Sequence, residues 1–120
     1  MHRILVVDDH ADIRRLLSVT LGKEFEILEA EDGVSALESI RRHRPRIVLL
    51  DVMMHGAMDG LQLLEVIRGD PQTRDILVAM ISARGQAEDS EDARRRGADA
   101  YFVKPFSPLQ VAAWIQGRLK

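Results

Sequence analysis

Cysteine is absent from the 120 residues, which excludes disulfide scaffolds, thiolate zinc sites and cysteine nucleophiles. A basic excess is missing too: 17 Lys and Arg stand against 19 Asp and Glu, a formal net charge of −2. Direct nucleic-acid binding would call for the opposite balance. The longest early apolar run, Ile4 to Val7, is too short for a signal peptide or a membrane span. No stretch rich in Ser, Gly or Pro marks a linker, and no segment repeats. What is present is 46% hydrophobic and 30% charged residues, the balance of a soluble globular chain. At this length about two thirds of the unfolded surface can be buried, enough for a real core. The expectation is one compact cytoplasmic domain over residues 1–120, with no membrane partner.

Short apolar runs alternate with longer amphipathic stretches. Ile4 to Val7 predicts a buried strand, followed by a helical pattern with Ile13, Leu16, Leu17 and Leu21 on one face. Gly22 then stands where a helix end favours a left-handed residue. Phe25 to Leu28 predicts a second strand, and Asp32-Gly33 turns the chain into a helix with Val34, Leu37 and Ile40 inward. Ile47 to Leu50 predicts a third strand, a helix spans about Leu61 to Arg68, and Ile76 to Ile81 predicts a fourth strand. The next helix, about Ala87 to Arg96, closes on Arg94-Arg95-Arg96-Gly97, cations at the negative end of the helix dipole before a glycine stop. Ala100 to Val103 predicts the fifth strand, and Ser107-Pro108 opens the last helix as N-cap and first-turn proline. Five apolar strands alternating with five helices predict an α/β fold, a doubly wound parallel sheet covered on both sides.

In such folds ligands bind beyond the carboxyl ends of the strands. Asp8 and Asp9 follow the first strand, Asp51 the third, Ser82 the fourth, and Lys104-Pro105 the fifth. Asp8 and Asp9 could serve simply to cap the first helix. Clustered with Asp51, however, they repel one another and raise one another's pKa, and one lysine does not balance three carboxylates. A hard divalent cation does, and Mg²⁺ takes one or two carboxylates together with waters and phosphate oxygens. The pattern is that of a phosphoryl-transfer centre, in which one carboxylate is the nucleophile while a metal and a lysine neutralise the transferring group.

With Ile4-Leu5-Val6-Val7-Asp8-Asp9, Asp51, Ser82-Ala83 and Tyr101-Phe102-Val103-Lys104-Pro105-Phe106, the whole chain resembles the receiver domain of two-component response regulators. The resemblance implies a flavodoxin-like sheet of order 2-1-3-4-5. It implies that Asp51 is the phosphoacceptor, that Asp9 binds Mg²⁺ directly, that Asp8 holds it mainly through water, and that the Met53 carbonyl is a further ligand. Ser82 and Lys104 would contact the phosphoryl oxygens, and Lys104-Pro105 would be a cis peptide. Ser82 and Tyr101 would form the switch: the hydroxyl moves toward the phosphoryl group and the ring turns inward, altering the surface of the fourth helix, fifth strand and fifth helix. Met53 and Arg84 would flank the phosphoryl group and are candidates for setting its lifetime. The implied partners are a histidine kinase or histidine phosphotransfer protein, and a downstream protein or an output domain absent from this sequence. Catalysis would be confined to the domain's own phosphorylation and dephosphorylation.

The chain departs from the family's pattern after Asp51. His55 stands where proline is common, and the loop to Asp59-Gly60 is one residue longer than the commonest form; the lost proline removes a backbone constraint. The other histidines, His2, His10 and His43, are scattered, and no histidine pair has the i, i+4 spacing of a zinc site. His10 falls at the mouth of the acidic cluster. The basic run Arg41 to Arg46 lies at a helix end, where cations suit the dipole. In the last helix Val111, Ala112, Ile115 and Leu119 form the inward stripe, while Leu109 and Trp114 fall off it, a candidate partner surface. The alternative function is a Mg²⁺-dependent phosphohydrolase with an aspartyl nucleophile. It would want a second acid two residues beyond the nucleophile on the first strand, where His10 stands after Asp8-Asp9.

Overall fold

Successive side chains of a strand point to opposite faces of its sheet, so a strand covered on both sides must be apolar at every position. In the computed structural model, which describes residues 1–54, 56–83, 85 and 87–119, this holds for the inner residues of the central strands β1 (Arg3–Val7), β3 (Ile47–Asp51) and β4 (Leu77–Ser82), whose polar residues Arg3, Asp51 and Ser82 stand at strand ends. Leu5, Val7, Val48, Leu50, Val78 and Met80 point into one core layer. Their neighbours Ile4, Val6, Ile47, Leu49, Ala79 and Ile81 point into the other. The edge strands are β2 (Glu26–Ala30) and β5 (Ala100–Val103), and the order is β2-β1-β3-β4-β5 with every pair parallel.

Among the described residues five helices cover the sheet: α1 (Ala11–Leu21), α2 (Gly33–His43), α3 (Gly60–Gly69), α4 (Ala87–Arg95) and α5 (Pro108–Arg118). The first layer is closed by Ala36 and Ile40 of α2, Leu63, Leu64 and Ile67 of α3, and Ala93 of α4. The second is closed by Leu17 and Leu21 of α1 with Val111 and Ile115 of α5. Each fully buried Leu or Ile contributes about 1.5–3 kcal/mol relative to exposure. The doubly wound order expected from the sequence is therefore the one observed.

Several details differ from the expectation. The second strand begins at Glu26 and runs to Ala30 rather than from Phe25 to Leu28; Phe25 is buried against the second layer as the chain leaves α1. The helix after Asp32 turns Ala36 and Ile40 fully inward, while Val34 is 61% exposed. Leu16 likewise faces outward from α1. Gly22 is not left-handed: its φ is −66°. Among the described non-glycine residues Arg44 has positive φ, 47°, at the end of α2, and Gly97 after α4 has φ 109°. Asp32 caps α2 by accepting the Ser35 N–H at 2.8 Å, and these bonds hold its carboxyl below the usual range. Asp59 and Gln62 form a reciprocal capping box at the start of α3.

Candidate functional site

The register of the parallel ladders brings the polar strand ends together. Val7 pairs with Leu50, Asp51 with Ile81, and Ser82 with Val103. The next residues along β1 and β5, Asp8 and Lys104, thus arrive beside Asp51 and Ser82. Lys104 Nζ lies 3.1 Å from Asp8 Oδ2 and 3.4 Å from Asp51 Oδ1. Asp8 and Asp51 are each only 2% exposed, and Ser82 is fully buried. The Lys104-Pro105 peptide is cis, and the Lys104 N–H donates to the Ser82 carbonyl at 2.7 Å.

Asp51 is held in place from its own loop. The Met53 N–H donates to Asp51 Oδ1 at 3.3 Å. Gly60, the first residue of α3, packs so closely on the Asp51 carbonyl that a Cβ there would collide with it. This constraint on the Asp-Gly pair is tertiary and carries no local signal beyond the glycine itself. Asp51 Oδ2 is buried and accepts no hydrogen bond from the described residues. Burial first, and the Asp8 charge second, push the Asp51 pKa up to about 6, against the opposing pull of Lys104 and the Met53 N–H.

The β1–α1 loop supplies the remaining groups. Asp8 does not cap α1; its Oδ1 accepts the His10 N–H at 2.8 Å, and the N-cap, His10, makes no side-chain capping bond. Arg14 from the first turn of α1 donates to the Asp8 carbonyl at 2.7 Å. His10 Nδ1 stands 3.0 Å from both Asp8 Oδ1 and Asp9 Oδ1. One donor atom from each of Asp8, Asp9, His10 and Asp51 falls within a 4.8 Å set. Comparing histidines only with one another hides this membership, because the partners of His10 are carboxylates.

An orphaned buried carboxylate oxygen among three acids and one lysine is a donor set that fits a hard divalent cation. Met53 is half-exposed beside Asp51, and Tyr101 is half-buried against the first core layer. Arg84 and His55 lie outside the described residues. Of the pair singled out on α5, Leu109 is 75% exposed. Trp114 is half-buried instead, its ring edge-on to Phe102 at 6.2 Å with the Arg118 guanidinium over it at 5.6 Å. The edge strand β5 leaves a flank that the large ring covers. Among the described residues, no helix is long and apolar enough to cross a membrane.

Comparison with known proteins agrees with this geometry. The family model of the response regulator receiver domain matches residues 4–116. The phosphate regulon transcriptional regulatory protein PhoB of Escherichia coli is 40% identical over 98% of this chain, which spans 52% of that protein. The chain thus spans about half the length of the curated relatives it matches. The receiver domain of NtrX from Brucella abortus superposes with a TM-score of 0.86 at 39% identity, over 94% of each chain. A Francisella response regulator receiver domain does so with a TM-score of 0.91 at 27% identity over the whole of both. Receiver domains are signalling switches that work by phosphorylation, generally bind Mg²⁺ through acidic residues, and interact with histidine kinases or phosphotransfer proteins. The acids gathered at the carboxyl edge of this sheet are in keeping with that chemistry, and the chain belongs to the receiver domain family of the two-component response regulators.

Proposed function

We propose that this domain accepts a phosphoryl group on Asp51 from a phosphohistidine of a histidine kinase or phosphotransfer protein, in the cytoplasm, and passes the signal on through the α4–β5–α5 surface. The observation that carries the reading is Asp51 Oδ2: a buried carboxylate oxygen without a hydrogen-bond donor among the described residues, 2% exposed as a residue, next to the Lys104 ammonium. An oxygen left unsolvated in this way keeps a lone pair free for attack on phosphorus. The new bond joins Asp51 oxygen to phosphorus as the phosphorus–nitrogen bond of the donor breaks, and the imidazole leaves with its electron pair.

Asp8, Asp9, Asp51 and the Met53 carbonyl would hold Mg²⁺, which when bound neutralises charge on the transferring phosphoryl oxygens. The Lys104 ammonium, already 3.4 Å from Asp51, supplies a fixed positive charge for the same oxygens. Ser82 offers a hydroxyl at the end of β4 and moves toward the phosphoryl group, while Tyr101 swings inward from its half-buried place on β5. A charge-assisted hydrogen bond contributes about 1.5–3 kcal/mol, a shift of about 10- to 150-fold between two states. That redistributes an ensemble without refolding the domain. Met53, beside Asp51, and Arg84 are the residues proposed to set how long the phosphoryl group lasts. Downstream, the switched surface would meet a partner protein or an output domain.

The test is intact mass after incubation with acetyl phosphate and Mg²⁺. A single phosphoryl adduct is expected, absent in Asp51→Asn and absent without the cation. An adduct that survives in Asp51→Asn would move the acceptor elsewhere. Sustained turnover of a free phosphomonoester would favour the phosphohydrolase reading instead.

A further inference from the structure

We infer that His10 is a cation ligand, so that this acidic site prefers an octahedral first-row divalent cation such as Ni²⁺ or Co²⁺ over Mg²⁺ by more than its carboxylates alone would give. The inference rests on the acidic cluster being the cation site of the proposed switch. Two donors about 2.1 Å from one ion and at right angles to each other stand about 3.0 Å apart. His10 Nδ1 lies at hydrogen-bond distance, 3.0 Å, from Asp8 Oδ1 and 3.0 Å from Asp9 Oδ1, spacings that are also those of two edges of the octahedral size. Asp51 Oδ2, buried and without a donor among the described residues, points to a missing positive partner in the same pocket. All four side chains offer an atom to one 4.8 Å set.

Backbone geometry fixes this arrangement. Asp8, Asp9 and His10 are consecutive between β1 and α1, and the His10 N–H is tied to Asp8 Oδ1 at 2.8 Å. The imidazole is 65% exposed, so it reaches the cluster from the solvent side and leaves the Asp51 side open to a phosphoryl group. With its proton on Nε2, the ring presents the Nδ1 lone pair to the carboxylates' ion. Imidazole nitrogen adds little for Mg²⁺, which favours oxygen, and much for the later first-row ions, whose affinity for nitrogen donors rises toward nickel and copper.

Calorimetric titration of the untagged, metal-stripped chain with Ni²⁺ and with Mg²⁺, against His10→Ala, tests the assignment; only Ni²⁺ displaced by excess Mg²⁺ is counted. The His10 side chain makes no capping bond to α1, so the variant keeps its fold. The expected result is that His10→Ala weakens Ni²⁺ binding at least tenfold, within the about 10–100-fold range of altered metal sites. Mg²⁺ binding should change less than about threefold, since its ligands are oxygens. Proton NMR of the Co²⁺-loaded chain should show hyperfine-shifted imidazole resonances that His10→Ala removes. If both cations bind and their ratio is the same in His10→Ala, His10 is not a ligand and the inference falls while the cation site stands. If neither cation binds competitively to the wild-type chain, the cation site itself falls, and the inference with it.

Discussion

At the carboxyl end of the sheet Asp8 and Asp51 are 2% exposed, share Lys104, and leave Asp51 Oδ2 unpaired among the described residues. The amino end carries charge as well, in a groove lined by His2, Arg3, Glu26, His43, Arg44 and Arg46. There Arg3 and Glu26 meet at 2.6 Å with about half of each side chain in water, and Arg3 also bonds the His43 carbonyl at 3.2 Å. Water screens and solvates these groups, so their pairing contributes little. At the other end burial leaves like charges facing each other in a poor solvent, which is costly and chemically useful. The difference shows that burial, more than the number of charges, separates a reactive site from a charged surface.

The comparison can be broken most forcefully at Lys104. Lys104→Met removes the cation that Asp8 and Asp51 share, and should cost about 3 kcal/mol of folding stability at pH 7. Urea denaturation would measure it, with the loss shrinking in acid as the carboxyls protonate.

Asp51→Asn should act in the opposite direction. The folded-state pKa of Asp51 is raised from 3.8 to about 6. Between those values the native state holds a proton that the unfolded chain has released, so stability falls as the pH rises through this window. Above it the full penalty of the buried charge is present. Asp51→Asn should therefore stabilise the chain by about 2 kcal/mol at pH 7.5 in EDTA, the advantage fading toward pH 4. A pH series of denaturation midpoints for both proteins checks the sign; an advantage that grows in acid would contradict it. The smallest effect belongs at the amino end, where Arg3→Ala should change stability by no more than about 0.5 kcal/mol and by less still in high salt.

Much of this was legible before folding. The apolar runs and glycine, proline and acid punctuation of the helices marked every element, because burial on both faces leaves no polar position in the inner parts of β1, β3 and β4. Legibility failed where contacts were not periodic. Phe25 is apolar yet lies outside β2, because an edge strand needs apolar residues on fewer sides. Val34 fits the helical stripe but sits on its outer margin at 61% exposure. Trp114 falls off the stripe of α5 yet finds Phe102 on the neighbouring strand, a contact that no single-helix pattern contains.

By itself the sequence determined the alternation of strands and helices and the identity of the groups at the strand ends, since both follow from local periodicity and from which residues a buried backbone tolerates. Only the tertiary structure decided how those groups meet. Parallel register set Asp8 and Lys104 beside Asp51, the fit of Gly60 against the Asp51 carbonyl closed the loop, and a turn of the chain brought His10 within 3.0 Å of two carboxylates. Distances between residues far apart in the chain depend on how the sheet and its helices pack, and that packing is a property of the whole core.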